Sequence, residues 1–282
     1  MPIPCRLNPL GISVREELPL TFTAVEASTV KLTATGSPTV AGLHYRLGTS
    51  GPWFSYTIGD TISLAAGEKV QFWNKAETLS LSGEDYVQFS MTGHVEATGS
   101  LSSMLNFLRE TANFCFWRLF YNNQVLTAVP DITFSRIAYY AFRSTFEGTG
   151  IISGPSINCP VLESSSFYQA FRMCTHMINP PKILATVLRS GALNSALAHC
   201  YSLKELSDFY PTELYGTSLY NFLYNCKNIN LINVNFTTWG TAQQTTDWVV
   251  GVPSSGTFIK PAALPEEYGP NRIPTGWTVV NK

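Results

Sequence analysis

The stretch that decides the fold is a tetrapeptide that occurs three times: FRMC at residues 171–174, LAHC at 197–200 and LYNC at 223–226. Each copy starts with a large apolar residue and ends with cysteine, and the copies start at positions 171, 197 and 223, a constant interval of 26. A fixed period of this length is typical of proteins built from stacked supersecondary units. The structural repeat residues, which we predict to be buried, are Phe171, Cys174, Leu197, Cys200, Leu223 and Cys226.

Further apolar residues keep the same period on both sides of each copy. They are Phe167, Leu193 and Leu219 before it, and Met177, Leu203 and Ile229 after it. The pattern predicts a short helical turn that presents an apolar i, i+4 pair, then a bend, then a short strand. Stacked units of this kind would bury a continuous apolar ladder.

Two degenerate copies precede the three intact ones. One covers residues 116–120 and is followed by Asn123, and the other covers residues 139–142. The intervals from 120 to 142 and from 142 to 171 are 22 and 29, which predicts that the register slips there. We interpret the Gly-Thr-Gly segment at 148–150 as the insertion that lengthens the second of these intervals.

The segment AFRMCTHM at 170–177 carries a family resemblance. It matches the pattern Ala-Phe-x-x-Cys-x-x-Leu, and residues 98–236 resemble the BspA-like leucine-rich repeats of Bacteroidetes surface proteins. The segments 248–258 and 273–279 look like the C-terminal end common in such proteins from gut Bacteroides and their phages. The resemblance implies a short, degenerate leucine-rich-repeat solenoid.

Residues 18–95 have a different period, because apolar and polar residues alternate there. Gly- and Pro-containing turns separate these runs at roughly the 8–12-residue spacing of an antiparallel sandwich, which predicts about seven short strands. Leu101, Met104, Leu105 and Leu108 then recur at helical spacing behind Ser100, a suitable N-cap. We expect this helix to cap the first repeat.

The predicted fold class is therefore α+β multidomain, an N-terminal antiparallel β-sandwich followed by a short degenerate leucine-rich-repeat solenoid. The predicted domains are an N-terminal arm (1–17), the sandwich (18–97), the repeat domain with its capping helix (98–240) and a C-terminal cap (241–282).

The composition restricts the possible partners. Only 13% of the residues are charged and the formal net charge is −1, so no long-range field favours nucleic acid. No apolar run is long enough to span a membrane, so membrane insertion is not expected. The cysteines and histidines do not have metal-ligand spacing, and we predict no catalytic residue, cofactor or metal. The chain is expected not to be an enzyme.

The resemblance implies two functions. The first is a virion surface structural protein, a phage fibre or a capsid or tail decoration, that mediates protein–protein assembly and attachment to the host surface. We expect this function because the N-terminus lacks the secretory signal of the cell-surface members of that family and has three prolines in an arm-like segment. The alternative is a bacterial cell-surface adhesin or glycan-binding leucine-rich-repeat protein. An enzyme acting on polysaccharide is the third, unsupported reading.

The expected partners are other virion proteins or a host cell-surface protein or glycan, and a homo-oligomer is left open. Trp53, Tyr56 and Trp73 are candidates for stacking against a ligand, because aromatic faces suit neutral sugars. The other interpretation of the same residues is packing inside the sandwich.

Overall fold

The computed structural model describes residues 18–38, 40 and 42–282, so the predicted arm at 1–17 lies outside the described residues. The structure is mostly β-strand, in several sheets, with almost no helix. The described residues contain two short 3-10 helices, Leu101–Leu105 and Ala242–Thr245, and no α-helix. The helical part of the predicted α+β class is therefore wrong, for a reason that the turn geometry below supplies.

Two antiparallel sheets form the first part of the chain. Their strands are β1 (Leu20–Ala24), β2 (Ser28–Thr35), β3 (Leu43–Leu47), β4 (Phe54–Ser55), β5 (Thr61–Leu64), β6 (Lys69–Asn74), β7 (Tyr86–Thr92), β8 (Val95–Thr98) and β9 (Leu126–Ala128). One sheet has the strand order β4-β3-β6-β1-β8-β9, in which only β9 is parallel to its neighbour, and the other has the order β5-β2-β7. Phe22 of the first sheet packs edge-on against Phe89 of the second, with ring centroids 4.8 Å apart.

The rest of the chain pairs short strands in parallel. Val161 lies opposite Val187, which in turn lies beside Glu213, so each partner is one period further along the chain. The described residues form three such sheets. The strands of these three sheets are β10 (Ile132–Thr133), β11 (Ser156–Asn158), β12 (Val161–Leu162), β13 (Lys182–Ile183), β14 (Val187–Leu188), β15 (Glu205–Leu206), β16 (Glu213–Leu214), β17 (Leu231–Asn233), β18 (Thr257–Lys260) and β19 (Thr278–Asn281).

The apolar i, i+4 pairs belong to successive tight turns, not to helices. We call these segments turn rows; they cover residues 114–123, 140–149, 165–174, 191–200 and 217–226. Every fourth residue of a row has a positive φ, as at Ser144 (51°) and Gln169 (56°), and a left-handed residue interrupts an α-helix. The i, i+4 spacing is common to both structures, which is why the sequence pattern alone indicates a helix.

Hydrogen bonds connect each turn row to the next. Alternate amides donate to the following row, as Phe142 N does to Ser166 O (2.8 Å) and Phe146 N to Ala170 O (2.9 Å). The amides between them bond within their own row, as Thr145 N does to Phe142 O (3.3 Å). The main chain of the rows is thus satisfied in two directions.

Stacked aromatic rings correct the predicted register of the two degenerate copies. Phe120 stacks on Phe146 and Phe146 on Phe171, with centroid distances of 5.5 and 5.1 Å, so the apolar position of the second copy is Phe146. The intervals of 22 and 29 that the sequence analysis gave are wrong. In the structure they are 26 (from 120 to 146) and 25 (from 146 to 171).

The Gly-Thr-Gly segment at 148–150 is likewise not an insertion. The buried Ile151 comes two positions after Thr149, whereas the buried Met177 comes three positions after Cys174. This bend is one residue shorter than its counterparts, and it passes close to the row before it. A Cβ on Gly150 would lie 2.0 Å from the carbonyl oxygen of Gln124, so only glycine fits.

The helix predicted behind Ser100 is present as a short 3-10 helix, Leu101–Leu105. Ser100 Oγ does accept a hydrogen bond from Ser102 N (3.2 Å), as an N-cap should. However, Ser103 Oγ accepts from Leu20 N (2.9 Å) and donates to Phe72 O (3.1 Å), which fixes the turn to β1 and β6. Its capping role stays a prediction.

Strand β7 adjoins the first turn row. Phe89 N donates to Leu119 O (2.8 Å), and Asn123 accepts from Met91 N (3.1 Å) while donating to Phe89 O (2.6 Å). Phe89 and Phe120 stack at 5.7 Å. The buried apolar residues form one cluster that runs from Leu20 to Trp277, so the two parts share a core.

We expect Phe171→Ala to lower the free energy of unfolding by about 3–5 kcal/mol, because it removes a buried ring from the middle of the stack and leaves a cavity. Phe171 is 1% exposed, whereas Met173, two residues on, is 46% exposed. Met173→Ala is the matched control and should change the free energy by less than about 0.5 kcal/mol. Denaturant unfolding followed by tryptophan fluorescence measures both, and equal effects of the two substitutions would place Phe171 outside the core.

Candidate functional site

Five of the structural repeat residues are 0% exposed and Phe171 is 1% exposed. The three cysteines among them make the same contact. Each thiol donates to a carbonyl of the preceding row: Cys174 to Phe146 O at 3.0 Å, Cys200 to Phe171 O at 3.1 Å, and Cys226 to Leu197 O at 3.1 Å. Their column continues upstream through Thr149, whose Oγ1 donates to Phe146 O (2.8 Å), to Asn123.

The cysteine column has the chemistry of a structural element. Burial raises the pKa of Cys174 and of Cys226 to about 12 and also raises the pKa of Cys200. A protonated thiol is neither a nucleophile nor a metal ligand at neutral pH. Cys115 and Cys159 are also free and buried, and Cys5 lies outside the described residues. Across 18–38, 40 and 42–282, no three His, Cys, Asp or Glu side chains are grouped as a metal site would require.

The three candidate stacking residues occupy different environments. Tyr56 is 6% exposed, and its hydroxyl accepts from Leu32 N (2.8 Å) and donates to Asp60 O (2.5 Å). Burial raises its pKa. Tyr56 is therefore a core residue with no face free for a ligand. Trp53 and Trp73 are both partly exposed, with ring centroids 6.1 Å apart.

Trp53 and Trp73 lie in a group of polar and aromatic side chains, which we call the tryptophan face. It consists of His44, Arg46, Trp53, Gln71 and Trp73. The His44 ring lies 5.0 Å from the Trp73 ring, and the Arg46 guanidinium carbon lies 4.7 Å above the Trp53 ring. Arg46 Nε donates to Gln71 Oε1 (2.7 Å), so the guanidinium is held in place.

The strand register explains why these residues meet. His44 lies opposite Trp73, and Arg46 lies opposite Gln71, on the antiparallel strands β3 and β6. Successive side chains alternate between the two faces of a strand, so residues 44, 46, 71 and 73 share one face. Sequence reasoning missed His44, Arg46 and Gln71. The alternation of β3 was visible in the sequence, but its register against β6 was not.

The tryptophan face can bind a neutral polyhydroxylated ligand. The indole rings offer apolar surface to the C–H face of a sugar, while the Arg46 guanidinium offers N–H donors to hydroxyl groups. Gln71 is buried, and its amide donates to Thr21 Oγ1 (2.9 Å), so its role is to hold Arg46 in place. In addition, Trp73 Nε1 is buried and has no hydrogen-bond partner in the described part of the chain. A buried donor without a protein partner needs an explanation, and an ordered water or a ligand would complete its hydrogen bond.

We expect the cysteine column to make stability depend on alkaline pH. The pKa of Cys226 is about 12 in the native protein, compared with 9.0 for an ordinary thiol. Above pH 9.0 the unfolded chain loses this proton and the folded chain keeps it, so unfolding becomes more favourable as the pH rises towards 12. Serine does not ionise in this range, so the free energy of unfolding of Cys226→Ser should fall less steeply with rising pH than that of the wild type. Urea unfolding of both proteins in reducing buffer at neutral and alkaline pH measures it, and identical slopes would contradict the burial of this thiol.

Comparison with known proteins does not assign a function to these residues. Within the described residues, none of the helices has the length and apolar character needed to traverse a bilayer. The chain matches no family model, no curated protein and no solved structure.

Proposed function

We propose that the chain is a non-enzymatic binding and assembly protein, made of an N-terminal β-sandwich and a short degenerate leucine-rich-repeat solenoid of the BspA-like type. Support for the sandwich comes from Phe22 and Phe89, which pack between the two antiparallel sheets. Support for the solenoid comes from the parallel pairing of residues one period apart, such as Val161 with Val187. Repeats stacked in this way commonly provide an extended surface for partners.

The tryptophan face is the observation that carries the binding function. Two tryptophans, an arginine and a histidine occupy one face of a sheet whose main chain is fixed by neighbouring strands. A rigid aromatic surface loses little conformational entropy when it binds. Weak single contacts are then sufficient when many copies of the protein bind the same surface. We assign this face to a glycan or glycoprotein of a host surface.

The setting that we propose is the surface of a virion, as a fibre or a capsid or tail decoration. In this setting the arm at 1–17 would attach the protein to the particle, since a Pro-rich segment loses little entropy when it becomes ordered. A bacterial cell-surface adhesin is the alternative setting for the same binding function. Mass spectrometry of purified particles and of cell envelopes from the same culture separates the two: recovery from envelopes alone would replace the virion by the adhesin.

We expect Trp53→Ala to weaken attachment to host cells or to immobilised host glycans by about tenfold, because the loss of a stacked ring removes roughly 1–2 kcal/mol of contact. Phe54→Ala is the matched control: Phe54 is the adjacent residue and is 51% exposed, but it is not part of the tryptophan face. Surface plasmon resonance on a glycan panel measures both variants. Equal binding by the wild type and Trp53→Ala would remove the tryptophan face from the proposed function.

A further inference from the structure

A second aromatic site surrounds Arg143 in the second turn row. The guanidinium carbon of Arg143 lies 4.3 Å from the ring centroid of Trp117 and 4.6 Å from those of Tyr140 and Tyr168. We call these four residues the arginine cage. Three rings around one guanidinium form a strong set of cation–π contacts, which fix the position of the charge.

The three residues around Arg143 come from three successive rows, and the hydrogen bonds between the rows hold them in register. Arg118 N donates to Arg143 O (3.2 Å), and Ser144 N donates to Tyr168 O (3.0 Å). The Trp117 ring is 8% exposed and packs against Gly83, where a Cβ would lie 2.8 Å from Cζ2 of the indole. The cage is therefore organised before any ligand arrives.

The charge of Arg143 is unpaired. Its neighbour Arg172 forms an ion pair with Glu147 at 2.8 Å, but the Arg143 side chain makes no ion pair or hydrogen bond to any residue in the described ranges. The N–H edge of a guanidinium is the part that binds carboxylates in a bidentate way. Arg143 is partly exposed, so this edge is accessible.

The surroundings of the cage complement an acidic sugar. Tyr139 is 41% exposed and lies against Tyr140, with ring centroids 4.0 Å apart and an angle of 49° between the ring planes, so an exposed aromatic ring lies next to the cage. The neighbouring Tyr140 raises the pKa of the Tyr139 hydroxyl, and a tyrosine hydroxyl can both donate to and accept from the hydroxyl groups of a sugar. Trp117 Nε1 is buried without a partner in the described part of the chain.

We propose that the arginine cage binds the carboxylate of an acidic sugar, a uronic or sialic acid residue, with Arg143 on the carboxylate and Tyr139 against the sugar ring. The inference rests on the proposed attachment function and names one ligand class for it. The tryptophan face, which is assigned to neutral sugars, is a separate site that lies on strands β3 and β6, whereas the cage lies on the turn rows. The two sites can therefore fail independently.

Titration calorimetry of the full chain tests the proposal with two matched probe pairs. The first pair is tri-galacturonic acid and its methyl ester, and the second is 3′-sialyllactose and lactose. We expect binding that depends on Arg143 for at least one acid and for neither neutral partner. Arg143→Gln should weaken that binding at least about tenfold, because it removes a charge-assisted pair of hydrogen bonds.

Arg189→Gln is the control, since Arg189 is exposed and lies over a single ring, that of Tyr215, at 5.1 Å. It should leave the affinity unchanged. Wild-type protein gives a readout that does not depend on how the variants fold: the indole N–H resonance of Trp117, assigned with Trp117→Phe, should shift with the acid and not with its ester. Three results would each overturn the assignment of the cage. The first is an unshifted Trp117 resonance, and the second is binding of an acidic peptide but of no sugar. The third is loss of acid binding in Trp53→Ala but not in Arg143→Gln. In the last case the proposed attachment function would stand.

Discussion

The whole structure depends on main-chain hydrogen bonds that join equivalent positions of successive turn rows. Each turn row lies over a buried apolar interior, so a polar group without a partner there would cost free energy comparable to a lost hydrogen bond. The amide of Phe146 meets this demand with the carbonyl of Ala170, and the amide of Phe171 meets it with the carbonyl of Ala196. Because every row uses the same bonds, the length of each unit is nearly fixed.

This constraint explains how the chain tolerates its one irregular unit. The bend after Gly148 is a residue shorter than the others, and the shortening falls between the row and the next strand, where no inter-row bond is displaced. Glycine at position 150 lets the shortened bend pass against the carbonyl of Gln124. The rows on both sides keep their aromatic stacking, from Phe120 through Phe146 to Phe171.

The period and the buried columns were predictable because three intact copies carry them in register. The alternation in residues 18–95 likewise predicted short strands, eight of which the structure places before residue 99. The left-handed turns were not predictable, because Ser144 and Gln169 adopt a positive φ without being glycine, and an i, i+4 apolar pair suits a helix equally well. The tryptophan face and the arginine cage depend on which residues lie opposite each other across strands or rows, and one sequence does not contain that information.

The central claim, that the repeats stack in one register, is tested most directly by removing one whole unit. Deletion of residues 175–200 takes out one full period and joins Cys174 to Tyr201, so every later row moves back by one place and its bonds can re-form. Deletion of residues 175–187 takes out half a period and leaves donors opposite the wrong acceptors. Denaturant unfolding of the two proteins should show a cooperative transition for the full-period deletion and none for the half-period deletion. Loss of the cooperative transition in both, or its retention in both, would contradict the register.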